Sequence, residues 1–171
     1  MEKAATSPDD KSARDLFITR EFLGKISSQA EQSPRLRKNY NFHHSDRDLC
    51  HRLLNAMEPE SYIQPHRHLD INKDESLLVL RGKFGVIIFD DRGGIAEKAI
   101  LDPSGDVIMT NIPRGIFHTL VCLEKGSVFF ESKAGPFAPL TADEKAPWAP
   151  GEADQSAKGW LVNLKSNFPA Y

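Results

Sequence analysis

Between residues 61 and 134 the chain is punctuated at nearly regular intervals, and this restricts the fold more than any other feature. Short apolar runs alternate with turn signals: "SYIQPHRH", "SLLVL", Arg81-Gly82, "KFGVIIF", Asp90-Asp91-Arg92-Gly93-Gly94, "IAEKAIL", Asp102-Pro103-Ser104-Gly105, "VIMTNI", Pro113-Arg114-Gly115, "FHTLVCL", Glu124-Lys125-Gly126 and "SVFFESK". Gly, Pro and Asp at the joints suit tight turns between paired strands. About seven strands at roughly ten-residue spacing predict a sandwich or barrel. With no helical interruption, they exclude a doubly wound α/β sheet.

The flanks have a different texture. Residues 1–13 read as a polar, disordered leader. Residues 14–50 read as a helix and an extended segment packing on the barrel, 51–141 as the barrel, and 142–171 as an irregular C-terminal extension. In "ARDLFITREFLGKISSQAEQS" the apolar residues at 16, 17, 18, 22, 23 and 26 are spaced for one helix face, and Pro34 limits its length. "DLCHRLLNAM" fits helix or strand by periodicity, and Pro59 soon after it favours strand. "APWAPGEADQSAKG" reads as irregular, and "WLVNLKSNFPAY" is amphipathic but short.

Charge and length remove several function classes. The 171 residues carry 22 basic and 24 acidic side chains, a formal net charge of −2. A reader of phosphate backbones shows a basic excess, so no nucleic-acid partner is expected. No run reaches the roughly 18 apolar residues of a membrane span, and the start lacks the apolar stretch of a secretory signal. Cys50 and Cys122 are too few for a disulfide framework. Two reduced thiols in a cytoplasmic protein are the expectation.

Chemistry concentrates in "YIQPHRHLDINKDESLLVLRG". Residues i and i+2 of a strand share a face, so His66 and His68 present their imidazoles side by side. Glu75 begins the next strand, and His118 follows the turn "IPRGIF", whose Pro113 and Gly115 form a corner aiming His118 inward. In an antiparallel barrel these strands can be neighbours, bringing three imidazoles and a carboxylate together. That donor set suits Zn, Fe, Ni, Mn or Cu. Asp70 would replace Glu75 only if the His66 strand ran on to it. Asp70 and Asn72 are turn formers, so Asp70 is expected to face water.

These stretches resemble the two metal-binding motifs of the cupins. "PHRHLDINKDESLLVLRG" is similar to the first, with two histidines, a spacer, a glutamate and then a glycine; "GDVIMTNIPRGIFH" is similar to the second. The resemblance implies a jelly-roll-like double-sheet β-barrel holding one divalent ion, with His66, His68, Glu75 and His118 as ligands. The six residues between His68 and Glu75 make the first spacer longer than the commonest one, and Cys122 stands where an asparagine often closes the second motif. Longer spacers occur among sugar-handling cupins, including the archaeal type of phosphoglucose isomerase. "SPRLRKNYNFH", "SYIQPHRH", Lys73-x-Glu75, "FFESKAGPFAP" and "APWAPGE" resemble the WbuC family of bacterial cupin-fold metalloproteins, over about residues 14 to 151. The namesake is encoded among surface-polysaccharide (O-antigen) genes, which implies a sugar or nucleotide-sugar ligand.

An isomerase or epimerase needs a base near the metal-bound carbon. Glu131 is a candidate, sharing a face with Phe129 and Lys133; its plainer reading is an exposed strand carboxylate. Tyr62 shares parity with His66 and is a second candidate, or else a core aromatic. Lys73 would steady a phosphate or carboxylate, or else is a solvated turn lysine. Alternation in "RKNYNFH" places Arg37, Asn39, Asn41 and His43 on one side, a lip for substrate or a basic surface stretch, with Arg52 nearby. His44 and His51 read as surface or packing residues. The expected activity is Lewis-acid chemistry on a sugar derivative. The alternatives are a non-catalytic regulatory cupin and an Fe(II) oxygenase. A homodimer through exposed strand edges is expected.

Overall fold

The computed structural model describes residues 16–169, so the leader expected at 1–13 lies outside the described residues. In chain order the elements are α1 (Arg20–Glu31), β1 (Arg37–Asn41), β2 (Cys50–Met57), β3 (Glu75–Arg81), β4 (Phe84–Phe89), β5 (Ile95–Leu101), β6 (Met109–Ile112), β7 (Phe117–Cys122), β8 (Ser127–Ala134) and α2 (Ala157–Lys165). The strands form one sheet of order β1-β2-β8-β3-β6 and a second of order β5-β4-β7, with antiparallel pairing throughout. Neighbours that are distant in sequence, such as β2 and β8, give the expected jelly-roll-like double sheet.

Alternation decides what each face meets. On β2, Leu54 and Ala56 turn outward to join Leu23, Ile26 and Ala30 of α1 and Val128 of β8. Between the sheets, Met57, Leu77, Val79, Phe84, Val86, Leu101, Leu120 and Phe129 form the inner core. The outer face of the smaller sheet buries Ile87, Phe89, Phe117 and Val121 against Leu161 and Leu164 of α2 and against Phe168. Each such apolar side chain contributes about 1.5–3 kcal/mol when fully buried. The two helices thus cover opposite outer faces of the double sheet.

Three local expectations are corrected. Thr19 caps α1 by accepting the Phe22 N–H at 3.1 Å, so Leu16, Phe17 and Ile18 precede the helix, and Leu16 and Phe17 are 89% and 82% exposed. The stretch 142–171 was expected to be irregular, yet α2 forms there because its apolar residues find the smaller sheet. "SYIQPHRH" is not a regular strand: only His66 bridges, to His118 and to Lys145. Pro65 has no N–H for a ladder, and the Ile63 carbonyl is taken by the Thr119 hydroxyl at 2.8 Å. Cys50 and Cys122 are both free thiols. Among the described residues, no helix is long and apolar enough to cross a membrane.

Candidate metal centre

Three elements meet at one end of the double sheet. Glu75 opens β3 in the larger sheet, and His118 stands on β7 in the smaller one. The segment carrying His66 and His68 lies along β7, where His66 and His118 exchange backbone hydrogen bonds of 3.0 and 2.8 Å. Its register is held further by Ala146 N–H on the Pro65 carbonyl (2.9 Å) and by Arg67 N–H on Glu144 (2.8 Å). The Arg67 guanidinium sits 4.3 Å over the Phe117 ring, a contact of about 0.5–1 kcal/mol at an exposed site. Gly115 has φ +83° and donates its N–H to the His68 carbonyl at 2.7 Å. This left-handed residue makes the corner that turns the chain into β7.

One ligand atom from each of His66, His68, Glu75 and His118 lies within 4.8 Å of the others. A single ion with bonds of roughly 2.0–2.4 Å spans that distance. Asp70 is exposed and spends a carboxylate oxygen on the Asn72 N–H (2.9 Å) in a turn, so it stays out of the cluster. His66 Nδ1 lies 3.0 Å from the Gln64 carbonyl, and His118 Nδ1 lies 2.9 Å from the Ile116 carbonyl. A carbonyl only accepts, so each Nδ1 donates and each Nε2 keeps its lone pair for the cluster. His118 Nε2 then faces Glu75 Oε2, another acceptor, at 3.1 Å. His68 Nε2 is buried 3.8 Å from that same oxygen, with no hydrogen-bond partner among the described residues. Convergent lone pairs around one point call for a cation.

Electrostatics keeps the donors in ligating form. Burial and the neighbouring His118 push the His66 pKa down to about 3, and burial pushes His68 down to about 4, so both imidazoles are neutral near neutral pH. Burial opposes the charge on Glu75, yet the Lys133 ammonium holds its carboxyl well below the usual range. Lys133 donates to Glu75 Oε1 at 3.0 Å and pairs with Glu131. Burial and the Glu75 charge raise Glu131.

Glu131 takes a hydrogen bond of 2.7 Å from Asn55 Nδ2 and lines a cavity of about 490 Å³ that also meets Arg37, Asn39, Asn41 and His43. Alternation therefore does bring these polar residues to one side. Several are already engaged. Arg37 forks onto Glu152 at 2.6 and 2.7 Å and donates to the Tyr62 carbonyl at 2.8 Å. Asn39 donates to Asn41 at 2.7 Å, and His43 is buried, stacked on His51 with ring centroids 4.0 Å apart. Arg52 is exposed and lines neither this cavity nor the lysine-lined one beside the histidines. Tyr62 lies apart from both cavities: its hydroxyl donates to the Pro150 carbonyl at 2.9 Å, its ring joins the α2 core, and burial raises its pKa. Lys73 is buried rather than solvated, and it lines a cavity shared with His66 and His68.

Two residues beside the cluster escaped the sequence reading. Lys133 was legible in principle, because it lies two residues beyond Glu131 on the same strand face. Asn55 needed the register that sets Leu53 opposite Glu131, which one strand alone does not carry. His51, read as a surface or packing residue, is a packing one: it is buried against His43, and its Nε2 has no hydrogen-bond partner among the described residues.

A family model described as a domain of unknown function (DUF6016) matches residues 18–101. No curated protein matches the chain in sequence. Among solved structures, KdgF from a Halomonas species is similar at 22% identity and a TM-score of 0.47, over 60% of this chain and 82% of that one. A Streptococcus pyogenes protein of unknown function, SPY1581, is similar at 15% identity and a TM-score of 0.46, over 64% and 86%. Oxalate decarboxylase from Lactobacillus farciminis is similar at 16% identity and a TM-score of 0.42, over 60% and 33%.

Proposed function

We propose that this chain is a divalent-metal protein acting on a sugar or nucleotide-sugar derivative, with His66, His68, Glu75 and His118 holding the ion. The observation that carries the reading is the pinning of two Nδ1–H groups by backbone carbonyls, which leaves Nε2 lone pairs converging on Glu75. A divalent ion held there supplies Lewis-acid polarisation of a carbonyl or hydroxyl oxygen. The chain's own residues do the rest. Glu131 lines the adjoining cavity and is the carboxyl placed to exchange a proton with a ligand there, oriented by Asn55 and Lys133. Asn39 and Asn41 offer donors and acceptors suited to sugar hydroxyls. The resemblance to the WbuC family supports a place in surface-polysaccharide assembly, among bacterial cytoplasmic proteins working as homodimers.

One observation favours a binding protein without turnover: Glu131 is already engaged by both Asn55 and Lys133. The test is elemental analysis of protein purified without a metal-affinity column or chelator, beside His118→Ala. Near-stoichiometric Zn, Fe, Ni or Mn that disappears in the variant supports the metal reading, and iron with oxygen consumption would favour an oxygenase. Absence of metal from the wild type, and none taken up on addition, refutes it. Turnover of nucleotide sugars by wild type and by Glu131→Gln then separates enzyme from binding protein.

A further inference from the structure

Beside the histidines lies a second cavity of about 350 Å³, lined by His66, His68, Lys73, Lys133, Phe137 and Lys145 among others, and by no carboxylate. The Lys133 charge is spent on Glu75 and Glu131. Lys73 is different. It is 8% exposed, and its ammonium has one partner among the described residues, the neutral Pro136 carbonyl at 3.2 Å. A buried ammonium without a counterion is costly, and a fold that keeps one gains by receiving an anion. An ammonium has three donors, so two remain after Pro136. Lys145 is exposed and makes no ion pair among the described residues, while its backbone bridges to His66 and so ties it to the metal segment. His51 adds to the same wall a buried Nε2 with no hydrogen-bond partner among the described residues.

We propose that this cavity is an oxyanion seat, in which Lys73 and Lys145 hold a carboxylate or phosphate carried by the substrate. The seat exists without the ion; only the placement of the substrate's other end, toward His66 and His68, rests on the metal reading. The substrate class is thereby narrowed to an acidic or phosphorylated sugar. A neutral sugar would leave Lys73 buried and unpaired. Recognition is by point charges, since no arginine lines this cavity, so carboxylate and phosphate are both admissible chemistries.

The test is calorimetric titration of the full chain, metal-free and metal-loaded, with inorganic phosphate, glucuronate, glucose phosphate and glucose. We expect saturable binding of the oxyanions, with glucose at least roughly tenfold weaker, the scale of one lost charge-assisted hydrogen bond. Lys73→Gln and Lys145→Gln each weaken oxyanion binding by roughly tenfold, while Lys145→Arg retains it. Lys145 is exposed, so its variants keep the test open if Lys73→Gln folds poorly. Preference for glucuronate over glucose phosphate assigns a carboxylate, and the reverse assigns a phosphate. Phosphate binding to metal-free protein tests the seat even if no metal is ever taken up. The seat is refuted if no oxyanion binds saturably, if glucose binds as well as glucuronate, or if both glutamine variants bind oxyanions as the wild type does.

Discussion

Replacing Lys133 by methionine keeps most of the side-chain length and removes the ammonium that bonds both Glu75 and Glu131. Glu75 is 5% exposed, so water cannot replace the lost cation. Breaking a buried pair by deleting one partner costs about 3–5 kcal/mol. A chain of this size loses about 2–4 °C of melting temperature per kcal/mol, so the metal-free variant should melt roughly 6–20 °C lower. The metal-loaded variant should behave differently. Glu75 Oε2 faces His118 while Oε1 faces Lys133, so ion and ammonium neutralise one carboxylate from its two oxygens. Each then stabilises less when the other is present, and the coupling is reciprocal. Lys133→Met should therefore bind metal more tightly; a recovery of ~1.4 kcal/mol reads as a tenfold lower Kd. Thermal unfolding in chelator and in saturating zinc or manganese, with a competition titration for Kd, measures both effects. An equal loss of melting temperature with and without metal, together with an unchanged Kd, would refute the shared-carboxylate argument.

Gly115→Ala and Gly82→Ala separate backbone strain from overlap. Both glycines have positive φ, but a Cβ at Gly115 meets nothing within 4 Å, whereas one at Gly82 falls 2.0 Å from Ser127 Oγ. Denaturant midpoints should show a loss of about 1–2 kcal/mol at Gly115 and a larger one, beyond ~3 kcal/mol, at Gly82; equal losses would contradict the steric reasoning. Glu58 is buried, and burial raises its pKa above 4.5 although it accepts the Gly126 N–H. The folded state then binds that proton more tightly than the unfolded chain, so stability falls as pH rises from 4.5 through the raised value. Glu58→Gln should keep the hydrogen bond, gain stability near neutral pH and flatten the dependence, and urea titrations at acid and neutral pH check this. Tyr62→Phe should cost about 0.5–1.5 kcal/mol while metal content and ligand affinity stay unchanged; loss of either would return Tyr62 to the site.

Legibility followed the physics of each element. Strand spacing and glycine-rich joints survive in a single sequence because each turn is local, so six of the strand runs between 61 and 134 appear as β3 to β8. The His66 segment did not become a strand because its backbone partners are chosen by the third dimension: a threonine hydroxyl, a loop N–H and one bridge to β7. Helix α2 was hidden for a related reason. Nine residues with little intrinsic drive to form a helix gain it from the smaller sheet's outer face, which no local window contains. Among site residues, His66, His68, Glu75 and His118 were readable as a pattern of types and spacings. The fates of Arg37 and Tyr62 were not, since Glu152 and Pro150 lie far along the chain.

The long spacer between His68 and Glu75 acquires a physical reason from the same geometry. Asp70 closes a turn with its side chain on Asn72 and its carbonyl accepting the Lys73 N–H at 3.1 Å. That turn reverses the chain early enough for Lys73 to reach inward to Pro136 before Glu75 enters β3. A spacer that ran directly from the second histidine to the carboxylate would keep the ligand set and lose the buried ammonium. The extra residues thus leave the His66, His68, Glu75 and His118 cluster intact and change what stands beside it. Shortening this loop while preserving Glu75 should spare metal binding and abolish the preference for acidic over neutral sugars. A shortened chain that keeps its metal and still prefers glucuronate to glucose would show that the loop's length has another cause.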